Sequence, residues 1–183
     1  FILLLIAFSA ILAVPVDRIQ RFTSDLAEFW DKSDTNFVSC EQQTLSFAAC
    51  SAIFKTLLDE YCFSDLVTFY PEFTGPTPLV GTQAAADAFA FVYATLGSGG
   101  EHHVFSLPII HSGAGSDPGV VNVTTRGFTV ATNYLTNETF FFLDKKRTSF
   151  ERRQGEWKIS TFDFTLITSN KLNITSPWAI PRF

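Results

Sequence analysis

All three histidines of the chain, His102, His103 and His111, stand in one stretch, EHHVFSLPIIH. Imidazoles this close in sequence could hold a transition metal, or one of them could move a proton near neutral pH. Spacing decides the first question. The stretch is rich in β-branched and aromatic residues and reads as strand. A strand rises about 3.3 Å per residue and turns alternate side chains to opposite faces. His103 and His111 then share a face but lie about 26 Å apart, while His102 points the other way. Zinc–nitrogen bonds of about 2.0–2.1 Å cannot join them. No metal site is expected, and His102 and His111 read as surface or strand-end residues. A single imidazole is left for acid–base work or for lining a cavity.

A proton-transfer site needs a carboxylate or hydroxyl partner. Asp163, in EWKISTFDFTLI, shares a strand face with Trp157, Ile159 and Ile167. An acid on an apolar face has its pKa raised by desolvation and could act as acid or base. The competing reading makes Phe162, Phe164 and Leu166 the core face and leaves Asp163 exposed. Tyr70 and Tyr93 could supply hydroxyls. Other chemistries lack their signatures. There is no G-x-S-x-G, and GSGG at 97–100 precedes a strand rather than a helix, so no phosphate loop is read. No cofactor is expected. Cys40, Cys50 and Cys62 include no C-x-x-C pair. If 44–62 is one helix, Cys50 and Cys62 are about 18 Å apart along its axis, too far to bond. Any disulfide must use Cys40. If Ser39-x-x-Gln42 is a capping box, Cys40 joins the helix and no intrachain bond is easy. Cys62 reads as a small buried hydrophobe rather than a reactive thiol.

Several elements must position these groups. Residues 14–38 are mixed and polar, with a short helix expected at SDLAEFWDKS. In TLSFAACSAIFKTLLDEYCFSD, Phe47, Cys50, Phe54, Leu57 and Tyr61 recur at three- and four-residue steps, one apolar stripe of a helix. PEFTGPTPLVG breaks the pattern. TQAAADAFAFVYATLG reads as a second helix, with Thr82 as N-cap and Gly97 just past its end. After Gly100 the period changes to strands, separated by the turn signals GAGSDPG, TNE and QGE, and the last three form an antiparallel meander. Helices followed by an antiparallel run predict an α+β domain with helices on one sheet face, around a concave, mostly apolar pocket.

Bulk properties narrow the setting. The chain has 183 residues, 46% hydrophobic and only 17% charged, with 21 phenylalanines and a net charge of −5. It can bury a large aromatic core, and no nucleic-acid partner is expected. FILLLIAFSAILA, residues 1–13, is too short to span a bilayer and fits the apolar part of a secretory signal peptide. Three N-x-[ST] sequons follow, at Asn122, Asn137 and Asn173. Together they predict a secreted glycoprotein with no membrane association after signal cleavage.

Four motifs, in order, resemble the NTF2-like superfamily, in particular its SnoaL-like polyketide-cyclase and scytalone-dehydratase branches. They are LLDEYCFSDLVTFYPEF, LVGTQAAADAFAFV, EHHVFSLPII and RRQGEWKI. The resemblance covers about residues 42–168. It implies a cone-shaped barrel, with helices packed on a strongly curved antiparallel sheet that encloses a pocket. The implied organisation is a signal remnant at 1–13, an N-terminal extension at 14–38, the domain at 39–170 and a tail at 171–183. The implied pocket residues are Phe54, Tyr70, Phe105, Leu107 and Trp157. His103 matches the catalytic histidine of the dehydratase branch and Tyr61 its tyrosine. The aspartate that follows the tyrosine is replaced by Cys62, and a second histidine expected on the next strand is absent. The resemblance thus implies a binder of a small apolar molecule. One alternative is a cofactor-free isomerase, dehydratase or cyclase using His103 with Tyr61 or Asp163. Another is an interaction protein, or a homodimer, working through the outer sheet face.

Overall fold

The computed structural model describes residues 16–42, 45–71, 75–96, 102–105, 109–112, 119–133 and 138–172. The signal-like segment, Leu107, Asn137, Asn173 and Gly97 lie outside the described residues.

Helix α1 spans Val16–Gln42, far longer than the short helix expected there. Its buried side chains are Phe22, Leu26, Phe29, Trp30, Ser33, Phe37 and Cys40, a stripe at three- and four-residue steps. Serine, threonine, asparagine and aspartate in its second half are weak helix formers. Packing of Phe37 against Phe54, at 4.7 Å between ring centres, holds that half in place. Helix α2, Phe47–Tyr61, starts at the N-cap Ser46, whose hydroxyl accepts from the Ala49 N–H. The cap is therefore Ser46 and not the Ser39 box. Strand β1, Cys62–Phe69, follows directly, then the short β2, Leu79–Val80. Helix α3, Thr82–Leu96, packs on α2. The remaining strands are β3, His102–Phe105; β4, Ile109–Ser112; β5, Val120–Asn133; β6, Glu138–Arg153; and β7, Glu156–Leu172.

The strands form one open sheet in the order β2-β1-β7-β6-β5-β3, with β4 also on β5. Strands β5, β6 and β7 make the expected antiparallel meander. The sheet is mixed rather than wholly antiparallel, because β1 runs parallel to β7. Helix α1 crosses one face: Phe22 meets Phe150, and Phe29 and Trp30 meet Phe162.

A bulge on β7 sets which residues face the helices. Ser149 stands opposite Thr161 but Phe150 opposite Ile159, so Ser160 is an extra residue. The bulge reverses the side-chain alternation. Ile159 lies inward on one side of it, Phe162 and Phe164 on the other, and all three are buried. Asp163 therefore falls on the outer face. Among the described residues, no helix is long and apolar enough to cross a membrane.

Candidate functional site

The inner face of β6 is built from every second residue: Phe142, Asp144, Lys146, Thr148 and Phe150, all buried. Its middle is polar. The Lys146 Nζ donates to Asp144 Oδ2 at 2.8 Å, with side chains only 4% and 8% exposed. The ammonium also sits 5.0 Å from the centre of the Trp30 ring, a cation–π contact. Asp144 Oδ1, by contrast, is buried without a hydrogen-bond partner. So are the hydroxyls of Thr125, which stands opposite Lys146, and of Thr148 and Thr68, which share a row across Phe162.

Gly127 stands opposite Asp144. A Cβ there would come within 2.5 Å of Asp144 Oδ1 and 3.0 Å of Lys146 Nζ. The missing side chain is what leaves room for the ion pair. Aromatic rings pack on the same face: Trp30 lies edge-on to Phe164 at 5.8 Å, and Tyr70 stacks on Phe164 at 4.9 Å. The inner face of β6 is buried throughout, from Thr148 (1% exposed) to Phe142 (8%).

Stability alone does not explain this patch. Taking two charges out of water costs several kcal/mol per ion, and well-packed apolar residues would serve a core as well or better. A buried acceptor with no donor costs about 1–3 kcal/mol more. Buried polar atoms left unsatisfied on an otherwise apolar face call for a partner, whether water, an ion or another molecule.

The residues singled out from sequence fall in several places. Register puts His103 opposite Thr129, itself opposite Phe142, and Phe105 opposite Gly127. Both positions are thus in rows that run to the Asp144 region. Tyr61 ends α2 and accepts a hydrogen bond from Lys32 Nζ at 2.7 Å. Burial raises the pKa of its hydroxyl, against the pull of the Lys32 ammonium. Asp163 faces Arg147 Nη1 at 3.7 Å on the outer face. Tyr61 and Asp163 are therefore not brought together. Phe54 is fully buried among Phe37 and Phe89 in the helical layer. Trp157 packs edge-on against Phe22. Asn122 is exposed on the outer face, where Ser149 Oγ donates to its Oδ1 at 2.7 Å. Cys40, Cys50 and Cys62 are buried thiols. Burial pushes the Cys40 thiol up to about 12 and the Cys62 thiol up further, which suits packing rather than nucleophilic attack. Among the described residues, no cluster of three or more His, Cys, Asp or Glu could hold a metal ion.

Asp144 and Lys146 were not among the residues picked from sequence. In LDKKRTSF both faces of the strand carry charge, so the run reads as solvated. The available signal was parity: Phe142 and Phe150 share the face of Asp144, Lys146 and Thr148.

Open sheet, parallel β1, and helices packed on a long antiparallel meander define the NTF2-like fold, and the chain has that fold. Among solved structures it is similar to the hexachlorocyclohexane dehydrochlorinase LinA-type3 from Novosphingobium barchaimii (TM-score 0.61, 13% identity, 86% of this chain and 94% of that one). It is also similar to an NTF2-like protein with a cystatin-like fold from Novosphingobium aromaticivorans (TM-score 0.53, 14% identity, 83% of each chain). A third is a candidate scytalone dehydratase from that organism (TM-score 0.57, 11% identity, 87% and 90% covered). No family model and no curated protein matches the chain.

Proposed function

We propose that the protein binds a small, mostly apolar molecule between α1 and the inner face of β5–β7, with Asp144 and Lys146 at the polar end. One observation carries this reading: a buried carboxylate oxygen without a hydrogen-bond partner, beside a buried ammonium, under aromatic side chains. Tyr70, stacked on Phe164, is proposed to complete the wall, with Phe54 supporting it from the helical layer. Mass spectrometry of the protein under native conditions tests the reading. A discrete small molecule should accompany the protein, and its loss on denaturation should leave the bare chain mass. A preparation that retains nothing, and shows no saturable binding of any aromatic probe, would sink it.

A second reading is a cofactor-free isomerase, dehydratase or cyclase with His103 as acid/base. The register that carries His103 toward the Phe142 row favours it, as do a dehydrochlorinase and a candidate dehydratase among proteins of like fold. Asp144 is the carboxylate better placed to assist, because Tyr61 and Asp163 are engaged by Lys32 and Arg147 elsewhere. Loss of turnover in His103→Ala, with ligand affinity kept, is the result this reading requires.

Secretion and glycosylation are proposed on the leader-like residues 1–13 and the three sequons. Asn122, exposed on the outer face, is a site a glycan could occupy. That glycan would stand where a homodimer through the sheet would form, so the two proposals compete. Expression through a secretory route, with Asn122→Gln beside the native chain, separates them. Loss of one glycan mass favours the glycan, and a dimer carrying an unmodified Asn122 favours the interface.

A further inference from the structure

We infer that Cys40 and Cys50 form a disulfide that ties the end of α1 to the start of α2, and that Cys62 stays a thiol. The two helices run antiparallel, and their contacts step regularly along both. Phe29 meets Tyr61, with ring centres 5.7 Å apart. Farther along α1, and correspondingly nearer the start of α2, Phe37 meets Phe54 at 4.7 Å. One more turn, three residues on from Phe37 and four back from Phe54, brings Cys40 opposite Cys50. Both side chains are fully buried in one core cluster. Burial, and the Cys50 thiol hydrogen-bonded to it, push the Cys40 thiol up to about 12. The link between the helices is held as well: the Leu45 N–H donates to the Cys40 carbonyl at 3.1 Å, and Ser46 caps α2. A capping box at Ser39 would have put both cysteines on one helix, about 15 Å apart along its axis. With Ser46 as the cap they lie on two helices and meet. Cys62 opens β1, beyond the far end of α2 and about 18 Å from Cys50 along the helix axis, so the limit of about 7 Å between Cα atoms is not met.

The oxidant is a disulfide, either of a small thiol or of an oxidoreductase. One cysteine thiolate attacks a sulfur of that disulfide and expels a thiolate, leaving a mixed disulfide. The second cysteine thiolate then attacks the first cysteine's sulfur and expels the other half of the oxidant. One S–S bond breaks and one forms. Two electrons pass to the oxidant, which leaves as two thiols carrying the two protons. The attacking species is the thiolate, and burial keeps Cys40 protonated in the folded chain. The exchange therefore belongs to folding, before α1 closes on α2. Once the helices have closed, the bond is sealed from reductants too. The secretory route proposed above would supply such an oxidant in a cell, but the pairing itself rests on the helix geometry.

Refolding the full chain in a mixture of reduced and oxidised glutathione tests the pairing without any secretion. After denaturation, iodoacetamide should label Cys62 alone. The tryptic fragment 33–55, which holds both other cysteines, should be lighter than its reduced form by two hydrogen atoms. Cleavage after Glu41 should leave its two pieces still joined. The oxidised chain should melt about 5–10 °C above the chain refolded with excess reductant. Cys40→Ala should abolish that difference, and Cys62→Ala should keep it. Label on all three cysteines, or a bond that includes Cys62, overturns the inference and leaves the secretory reading standing. A Cys40–Cys50 bond that does not raise the melting point overturns its role in tying the helices. If the bond forms on refolding but the chain is not exported by a secretory route, the secretory reading falls and the pairing stands.

Discussion

Strand β6 presents cations to both faces of the sheet, and the two faces treat them differently. Outward, Lys145 and Arg147 line a shallow groove of about 580 Å³ with Arg126, and Asp163 is the one carboxylate among its lining residues. Arg147 lies 3.7 Å from Asp163, with side chains 58% and 29% exposed. Inward, one residue along, Lys146 is held by Asp144 almost out of reach of water. Water and salt screen the outer pair, so its geometry is loose and its worth is small. The inner pair has no such relief, and each charge depends on the other. Similar residue types at neighbouring positions thus make a replaceable surface and an interior in which neither charge can be lost alone.

Removing one inner charge should produce the largest effect. Lys146→Met leaves the Asp144 carboxylate buried with no cation, and should cost about 3–5 kcal/mol. Lys145→Met, one residue away on the outer face, should change stability by no more than about 0.5 kcal/mol. Urea denaturation of the two variants measures the contrast directly. Equal effects would mean that the inner face is wetter than its burial implies. Next in size is Gly127→Ala, where the added methyl would press on both Asp144 Oδ1 and Lys146 Nζ. A loss of about 1–3 kcal/mol is expected, as for overpacking elsewhere.

That contrast also bounds what the sequence could reveal. The fold class was legible, because the stripe of α2 and the strand periods after Gly100 are strong patterns. Full-length α1 was not, since its second half is composed of residues that favour caps and turns and is held by Phe37 and Cys40 in the core. Asp163 was ambiguous for a specific reason. The bulge at Ser160 puts Ile159 and Phe162 on the same face, which no strict alternation predicts. Asp144 and Lys146 were hidden because polar residues at 144–149 occupy both faces. Parity with Phe142 and Phe150 was the one signal, and burial in the folded chain shows which charges are inside.

Smaller still is the effect expected at the outer groove. Arg147→Ala breaks an ion pair that is loose and mostly exposed. It should cost less than about 0.5 kcal/mol, and that little should vanish in 1 M salt. A loss above about 1 kcal/mol, insensitive to salt, would show that the outer face is covered in solution. A second copy of the chain would then be the first partner to seek by sedimentation.

The smallest loss of stability should come from the most drastic change to the inner face. In Asp144→Leu/Lys146→Met both charges go together, and no buried ion is left alone. Apolar side chains replace a pair that had to be desolvated, so stability should be unchanged or should rise. The orphaned Oδ1 acceptor, which costs free energy in the ligand-free protein, disappears as well. If the double variant is at least as stable as the native chain, the fold does not need the polar pair. Its presence must then be explained by what it binds. If instead the double variant unfolds as readily as Lys146→Met alone, the pair is part of how this sheet is held against α1. The buried oxygen would then be a cost of the architecture, not a mark of a site. Measuring both variants by the same denaturation therefore separates a structural ion pair from a recognising one without knowing the ligand.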